Sequence, residues 1–133
     1  NNAATVSVLR NTAAAGSMDA GSFATKVDFA VGSRPNSVVI GDLDKDNKAD
    51  LVIANNFAHS ISVLRNTATS GSIGSESFAA QVVLATPASS FPGSVALGDL
   101  DGDGKVDLAV SNVGTLNVSV FRNISTTGSI NTG

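Results

Sequence analysis

Two nine-residue stretches constrain this chain more than any other feature. They are Asp42-Leu-Asp-Lys-Asp-Asn-Lys-Ala-Asp50 and Asp99-Leu-Asp-Gly-Asp-Gly-Lys-Val-Asp107. Each sets carboxylates at positions 1, 3, 5 and 9, and together they hold eight of the 11 acidic residues. Four carboxylates in one short loop repel one another unless a cation sits among them. Oxygen donors on a tight turn suit a hard cation, calcium above all. The spacing follows the front of an EF-hand loop but lacks its glutamate at position 12. A bidentate closing ligand would instead be Asp50 or Asp107.

The flanks exclude the helices an EF-hand needs. Ser37-Val-Val-Ile-Gly precedes the first stretch and Leu51-Val-Ile-Ala follows it; the second has Ser94-Val-Ala-Leu-Gly before and Leu108-Ala-Val-Ser after. Short Val- and Ile-rich runs bounded by Gly, Asn and Asp read as strands, so each acidic loop is expected to close a hairpin. Position 6 is Asn47 or Gly104, the residue types that accept a left-handed backbone at a sharp turn.

A chain of 133 residues makes one domain with a modest core. Abundant Gly, Ser, Thr, Asn and Ala suit short strands and turns rather than helices. With no Cys there is neither a disulfide nor a thiolate metal site. The net charge of −3 sits almost wholly in the two loops, and two calcium ions would bring it to about +1. Nothing resembles a basic nucleic-acid surface, and no apolar run approaches the ~20 residues of a membrane span. The composition is compatible with bacterial secretion. Asn1-Asn2-Ala3 carries neither an initiator Met nor a signal peptide, so the chain reads as processed or as excised from a longer one.

Internal repetition is strong. Val6-Ser-Val-Leu-Arg-Asn11 returns as Ile61-Ser-Val-Leu-Arg-Asn66 and as Val118-Ser-Val-Phe-Arg-Asn123. A Gly-Ser-apolar step follows each, then Phe23 or Phe78, Pro35 or Pro92, and an acidic loop. The period is 55 residues for the early landmarks and 57 between Asp42 and Asp99, because the segment from Phe78 to Pro92 is two residues longer. Four strand-like runs per unit at this period point to an all-β array of four-stranded antiparallel blades of β-propeller type. The runs fall at 37–42 (a), 49–55 (b), 60–66 (c) and 78–85 (d), then at 94–99 (a), 106–112 (b) and 117–123 (c), with a c-like run at 5–11 and a d-like run at 23–31 before them. That is one repeat domain over 1–133 of about 2.3 repeats, divided as a partial blade (1–35), a full blade (36–86) and an incomplete blade (87–133).

These landmarks resemble the FG-GAP family, also described as VCBS repeats and found in the integrin α-subunit β-propeller. The likeness lies in Asp-x-Asp-x-Asp-Gly-x-x-Asp between strands a and b, the apolar run after it and the later Val-Ser-Val-Leu…Asn strand, and it covers almost the whole chain. The Phe-Gly and Gly-Ala-Pro triplets of the family are missing, and Asn47 stands where the family has Gly. The resemblance implies four-stranded blades, calcium held by each a–b hairpin, and an extracellular or cell-surface setting in adhesion, lectin or scaffold proteins. The side-chain ligands it implies are Asp42, Asp44, Asp46 and Asp50 in one site and Asp99, Asp101, Asp103 and Asp107 in the other. Lys48 and Lys105 would give backbone carbonyls.

His59, the only histidine, reads as a surface turn residue. Arg10, Arg65 and Arg122 recur at one point of strand c and read as structural pairs or a solvated edge. Asn117-Val-Ser and Asn123-Ile-Ser match the N-glycosylation pattern. No Ser-His-Asp set, Cys-His pair or phosphate loop is present, and calcium-saturated carboxylates are poor proton carriers, so no enzyme activity is expected. Two functions remain. One is a calcium-stabilised structural protein whose incomplete terminal units complete one another head to tail by strand complementation, giving a homo-oligomeric ring or a fibril. The other is a fragment of a larger propeller that acts as a cell-adhesion or glycan- or protein-binding module. Its contacts would come from the b–c turns (55–60 and 112–117) and the d–a segment (86–93).

Overall fold

The computed structural model describes residues 4–130, and its regular structure there is nine strands in three antiparallel sheets, with no helix. β1 (Thr5–Val8) and β2 (Val27–Ala30) form the first sheet. β3 (Pro35–Gly41), β4 (Asp50–Asn55), β5 (Ser60–Leu64) and β6 (Val82–Ala85) form the second in chain order. β7 (Pro92–Gly98), β8 (Asp107–Asn112) and β9 (Asn117–Phe121) form the third. Among the described residues no sheet closes on itself. The outer ends of the first and last expected units lie outside the described residues.

Equivalent strands pair in equivalent registers. Val6 faces Phe29 and Val8 faces Val27 in the first sheet, as Ile61 faces Leu84 and Val63 faces Val82 in the second. The a-type strands begin two residues earlier than expected, at Pro35 and Pro92, each followed by an irregular step before Ser37 or Ser94. Proline has no N–H to give a ladder, so it fits the first position of a strand. The d-type strands are shorter than expected: Phe23 and Phe78 make only lone bridges, to Asn11 and Asn66. The two extra residues of the longer repeat fall in the d–a connection, 86–91 against 31–34.

The sheets stack face to face. Leu51, Ile53 and Leu64 of the second sheet pack on Val6, Val8, Val27 and Phe29 of the first. From the opposite face Val52, Ala54, Ile61 and Val63 pack on Val95, Leu108 and Val110 of the third. β4 and β5 are therefore buried on both faces, which is why they read as near-continuous apolar runs rather than alternating ones. Stacking leaves outer faces bare. Val118 and Val120 are 63% and 61% exposed, where their equivalents Ile61 and Val63 are 0% and 1%.

Candidate metal centre

Each acidic stretch links an a-type strand to a b-type strand, the first between β3 and β4, the second between β7 and β8. The turns are made by left-handed residues at positions 4 and 6: Lys45 and Asn47 in one loop, Gly102 and Gly104 in the other. Glycine accepts this backbone freely and asparagine tolerates it; the carboxylate spacing carries no sign of the requirement at position 4.

The folding of each loop brings positions 1, 3 and 9 together. Ligand oxygens of Asp42, Asp44 and Asp50 lie within 4.8 Å of one another, and so do those of Asp99, Asp101 and Asp107. Asp46 and Asp103 stand outside these groups; their Oδ1 atoms accept the N–H of Lys48 and Lys105, at 2.9 and 2.8 Å. Position 1 also organises its loop: Asp42 Oδ2 accepts from Asn47 N and Asp99 Oδ2 from Gly104 N, both at 2.9 Å.

Position 9 has a second role that spacing alone does not reveal. Asp50 accepts the N–H of Leu43 on Oδ2 (2.9 Å) and that of Asn66 on Oδ1 (2.8 Å). Asp107 does the same with Leu100 (2.9 Å) and Asn123 (2.7 Å). Each aspartate thus clamps its own loop to the end of the c-type strand. A carboxylate oxygen has two acceptor sites, so each keeps capacity for a metal. The recurrent Asn completes the clamp, since Asn66 Nδ2 donates to Ala49 O and Asn123 Nδ2 to Val106 O.

The two sites differ in their surroundings. In the first, Asp44 and Asp50 are buried, and Asp44 Oδ2 has no hydrogen-bond partner. Burial, with the Asp46 charge added, pushes the Asp44 carboxyl above its ordinary pKa; burial does the same to Asp50. A buried carboxylate oxygen with no donor is costly, and a cation among Asp42, Asp44 and Asp50 would satisfy it. In the second site Asp99 and Asp101 are exposed. There Arg122 forms ion pairs with Asp101 and Asp103, and its hydrogen bond holds Asp101 below the usual carboxylate range. The donor sets therefore fit a hard divalent cation at both hairpins, with a free carboxylate oxygen in the first and a resident cation to displace in the second. Calcium, when bound, would supply the positive charge that lets these carboxylates stay ionised side by side.

The asymmetry comes from the neighbouring unit. Leu43, inside the first loop, belongs to the core between the second and third sheets, whereas its equivalent Leu100 is exposed. Leu43 O also accepts from Asn123 Nδ2 (2.8 Å) and Ser125 Oγ (3.0 Å), which ties the first loop to the third unit.

A search of curated proteins and one of solved structures found no match. At the family level, residues 42–110 match the FG-GAP-like repeat. The match runs from the first acidic loop into β8, just over half of the chain, and includes both loops. This chain belongs to the FG-GAP-like repeat family.

Proposed function

We propose that the chain is a calcium-stabilised structural repeat of β-propeller type that works outside the cell and joins copies of itself through its open sheets. Two calcium ions are assigned to the hairpins. Asp42, Asp44 and Asp50 hold one, Asp99, Asp101 and Asp107 the other, with Asp46, Asp103 and the carbonyls of Lys48 and Lys105 completing the shells. The observation that carries the calcium reading is the unpartnered, buried Asp44 Oδ2 inside a cluster of three carboxylates.

Self-association rests on the bare faces and edges. Val118 and Val120 on the third sheet and Leu100 in its acidic loop are exposed where Ile61, Val63 and Leu43 are buried by a following sheet. Val38 and Ile40 are exposed beside the two-stranded first sheet. Open strand edges beside apolar faces invite a further chain. The union of the first and third sheets would hold five strands, so completion of a four-stranded unit displaces one c-type strand, β1 or β9. β1 is the shorter.

The test combines melting with light scattering. Extracellular calcium modules bind in the range of about 10⁻⁴ to 10⁻³ M, and saturation at 100 times the dissociation constant adds roughly 2.7 kcal/mol per site. Chelator should lower the melting temperature. An unchanged melting curve in chelator rejects the calcium reading, and a monomer at micromolar concentration in calcium rejects self-association.

A second reading, an adhesion or binding module, is favoured by one observation: an exposed aromatic cluster on the turns at the opposite end of the strands from the acidic loops.

A further inference from the structure

The b–c turns and d–a connections meet at the end away from the calcium hairpins. Arg34 lies over the ring of Phe57, its Cζ 4.4 Å from the centroid. Phe57 and His59 both pack edge-on against Phe91, with centroids 6.2 and 4.6 Å away. The next b–c turn adds Leu116, 90% exposed. These groups come from four separate segments, 31–36, 55–60, 86–93 and 112–117, which contain one arginine, one histidine and no carboxylate.

The surface is built rigidly. Phe91 N donates to His59 Nδ1 at 3.3 Å, and Thr86 N donates to His59 O at 3.0 Å. Gly114 N donates to Ser90 O at 2.8 Å, and a Cβ on Gly114 would lie 2.1 Å from Ser89 O, so the last turn is interlocked with the d–a connection. Arg34, His59, Ser89, Phe91 and Leu116 all have positive φ. Bulky residues pay a steric cost for that backbone, and such outliers gather at binding sites. Of these, Arg34, Phe91 and Leu116 are large, exposed side chains on a hydrogen-bonded frame, which lowers the ordering cost of binding.

We propose that this end is a docking surface for a protein segment that pairs a carboxylate with a neighbouring aliphatic or aromatic side chain. The inference rests on the second reading above and names its partner. Arg34 is exposed and presents a planar fork that matches a carboxylate. No acidic side chain of these turns competes for it, whereas eight of the chain's acids lie in the hairpins at the other end. The Phe57–Phe91 surface and Leu116 receive the apolar neighbour, and aromatic and Arg side chains are the usual anchors of protein interfaces. The rings are phenylalanines, with no hydroxyl or indole N–H to order sugar hydroxyls, so a peptide is favoured over a glycan.

The test selects a phage-displayed random heptapeptide library on the full chain in saturating calcium, beside an array of acidic and neutral oligosaccharides. Enriched peptides should carry Asp or Glu next to an apolar residue. Arg34→Gln and Phe57→Ser should each weaken a selected peptide by about tenfold or more, with the melting temperature unchanged. Leu116→Ser replaces Phe57→Ser if the latter melts early. Enrichment of neutral or basic peptides, or binding that survives these variants, overturns the acidic partner and leaves the binding-module reading standing. Binding to oligosaccharides alone assigns the surface to sugars and overturns the inference. No ligand on either platform overturns both.

Discussion

At the scale of single residues, Asp44 and Asp50 make the metal-free protein respond to pH in an unusual direction. Burial raises both carboxyls, so in the absence of metal the folded state binds their protons more tightly than the unfolded chain does. Their ionisation therefore costs stability at neutral pH, and that cost is relieved as pH falls through the raised folded-state values. With calcium bound the sign reverses, because protons compete with the metal for the same oxygens. In chelator the melting temperature is expected to rise from neutral pH into mild acid; in calcium it is expected to fall over the same range. Melting curves at several pH values in both conditions check this, and parallel curves would reject it. Asp28 and Asp101 act oppositely, held low by Lys26 and by Arg122, so their small support is lost only in stronger acid. The surroundings also rank the two sites. Asp44→Asn should remove the tighter calcium, measured by calorimetric titration, whereas Arg122→Gln should strengthen the second site by freeing Asp101 and Asp103. Asn47 has φ 65°, so Asn47→Gly should be near neutral, while Asn47→Val should cost about 1–2 kcal/mol in denaturant unfolding.

At the scale of elements, the recurrent Asn after each c-type strand is a clasp whose strength depends on the number of segments it joins. Asn11 caps its own turn through Ala13 N. Asn123 spans Ser125 N, Val106 O and Leu43 O, joining two units. Asn123→Ala should therefore cost about 1–3 kcal/mol and Asn11→Ala under about 1 kcal/mol by urea unfolding; equal losses would argue against a coupling role. Much of this architecture is legible in the sequence. The Val/Ile-Ser-Val-Leu/Phe-Arg-Asn runs mark three c-type strands, and the Asp spacing marks two hairpins, because both signals are local. The hidden part depends on contacts distant in sequence. Asp50 binds Asn66 across 16 residues and Asp107 binds Asn123 likewise, so spacing presents position 9 as a ligand alone. His59 reads as an isolated turn residue because Phe91 lies 32 residues further on. The spacing also cannot show that positions 1, 3 and 9 lie closest together while position 5 accepts an N–H of its own loop. The sequence pattern sets Pro35 and Pro92 ahead of their strands, and the structure starts those strands on them.

At the scale of the whole molecule, the proposed self-association implies a definite strand register. β6 lies on β5, and β2 on β1, in one shared register. The third sheet offers the same seat along β9, beside a cavity lined by Leu84, Val120, Phe121 and Ile130. A d-type strand placed there in that register would set its first residue opposite Val120, as Val82 stands opposite Val63 and Val27 opposite Val8. β2 of a second copy fits this seat by sequence, since Val27-Asp-Phe-Ala repeats the apolar-x-apolar-Ala order of Val82-Val-Leu-Ala. On that proposal β2 would exchange its pairing with β1 for an equivalent one with β9, and Val118 and Val120 would take the places that Val6 and Val8 hold against the second sheet. The chain contains no cysteine, so a pair of introduced thiols reports cleanly. Val27→Cys combined with Val120→Cys should give disulfide-linked oligomers under mild oxidation, because these positions face each other in the inferred register. Asp28→Cys with Val120→Cys, one residue out of register and on the opposite side of the strand, should link far less. Oligomers by light scattering without the in-register link would place the contact elsewhere on the bare faces, and monomers throughout would remove self-association altogether.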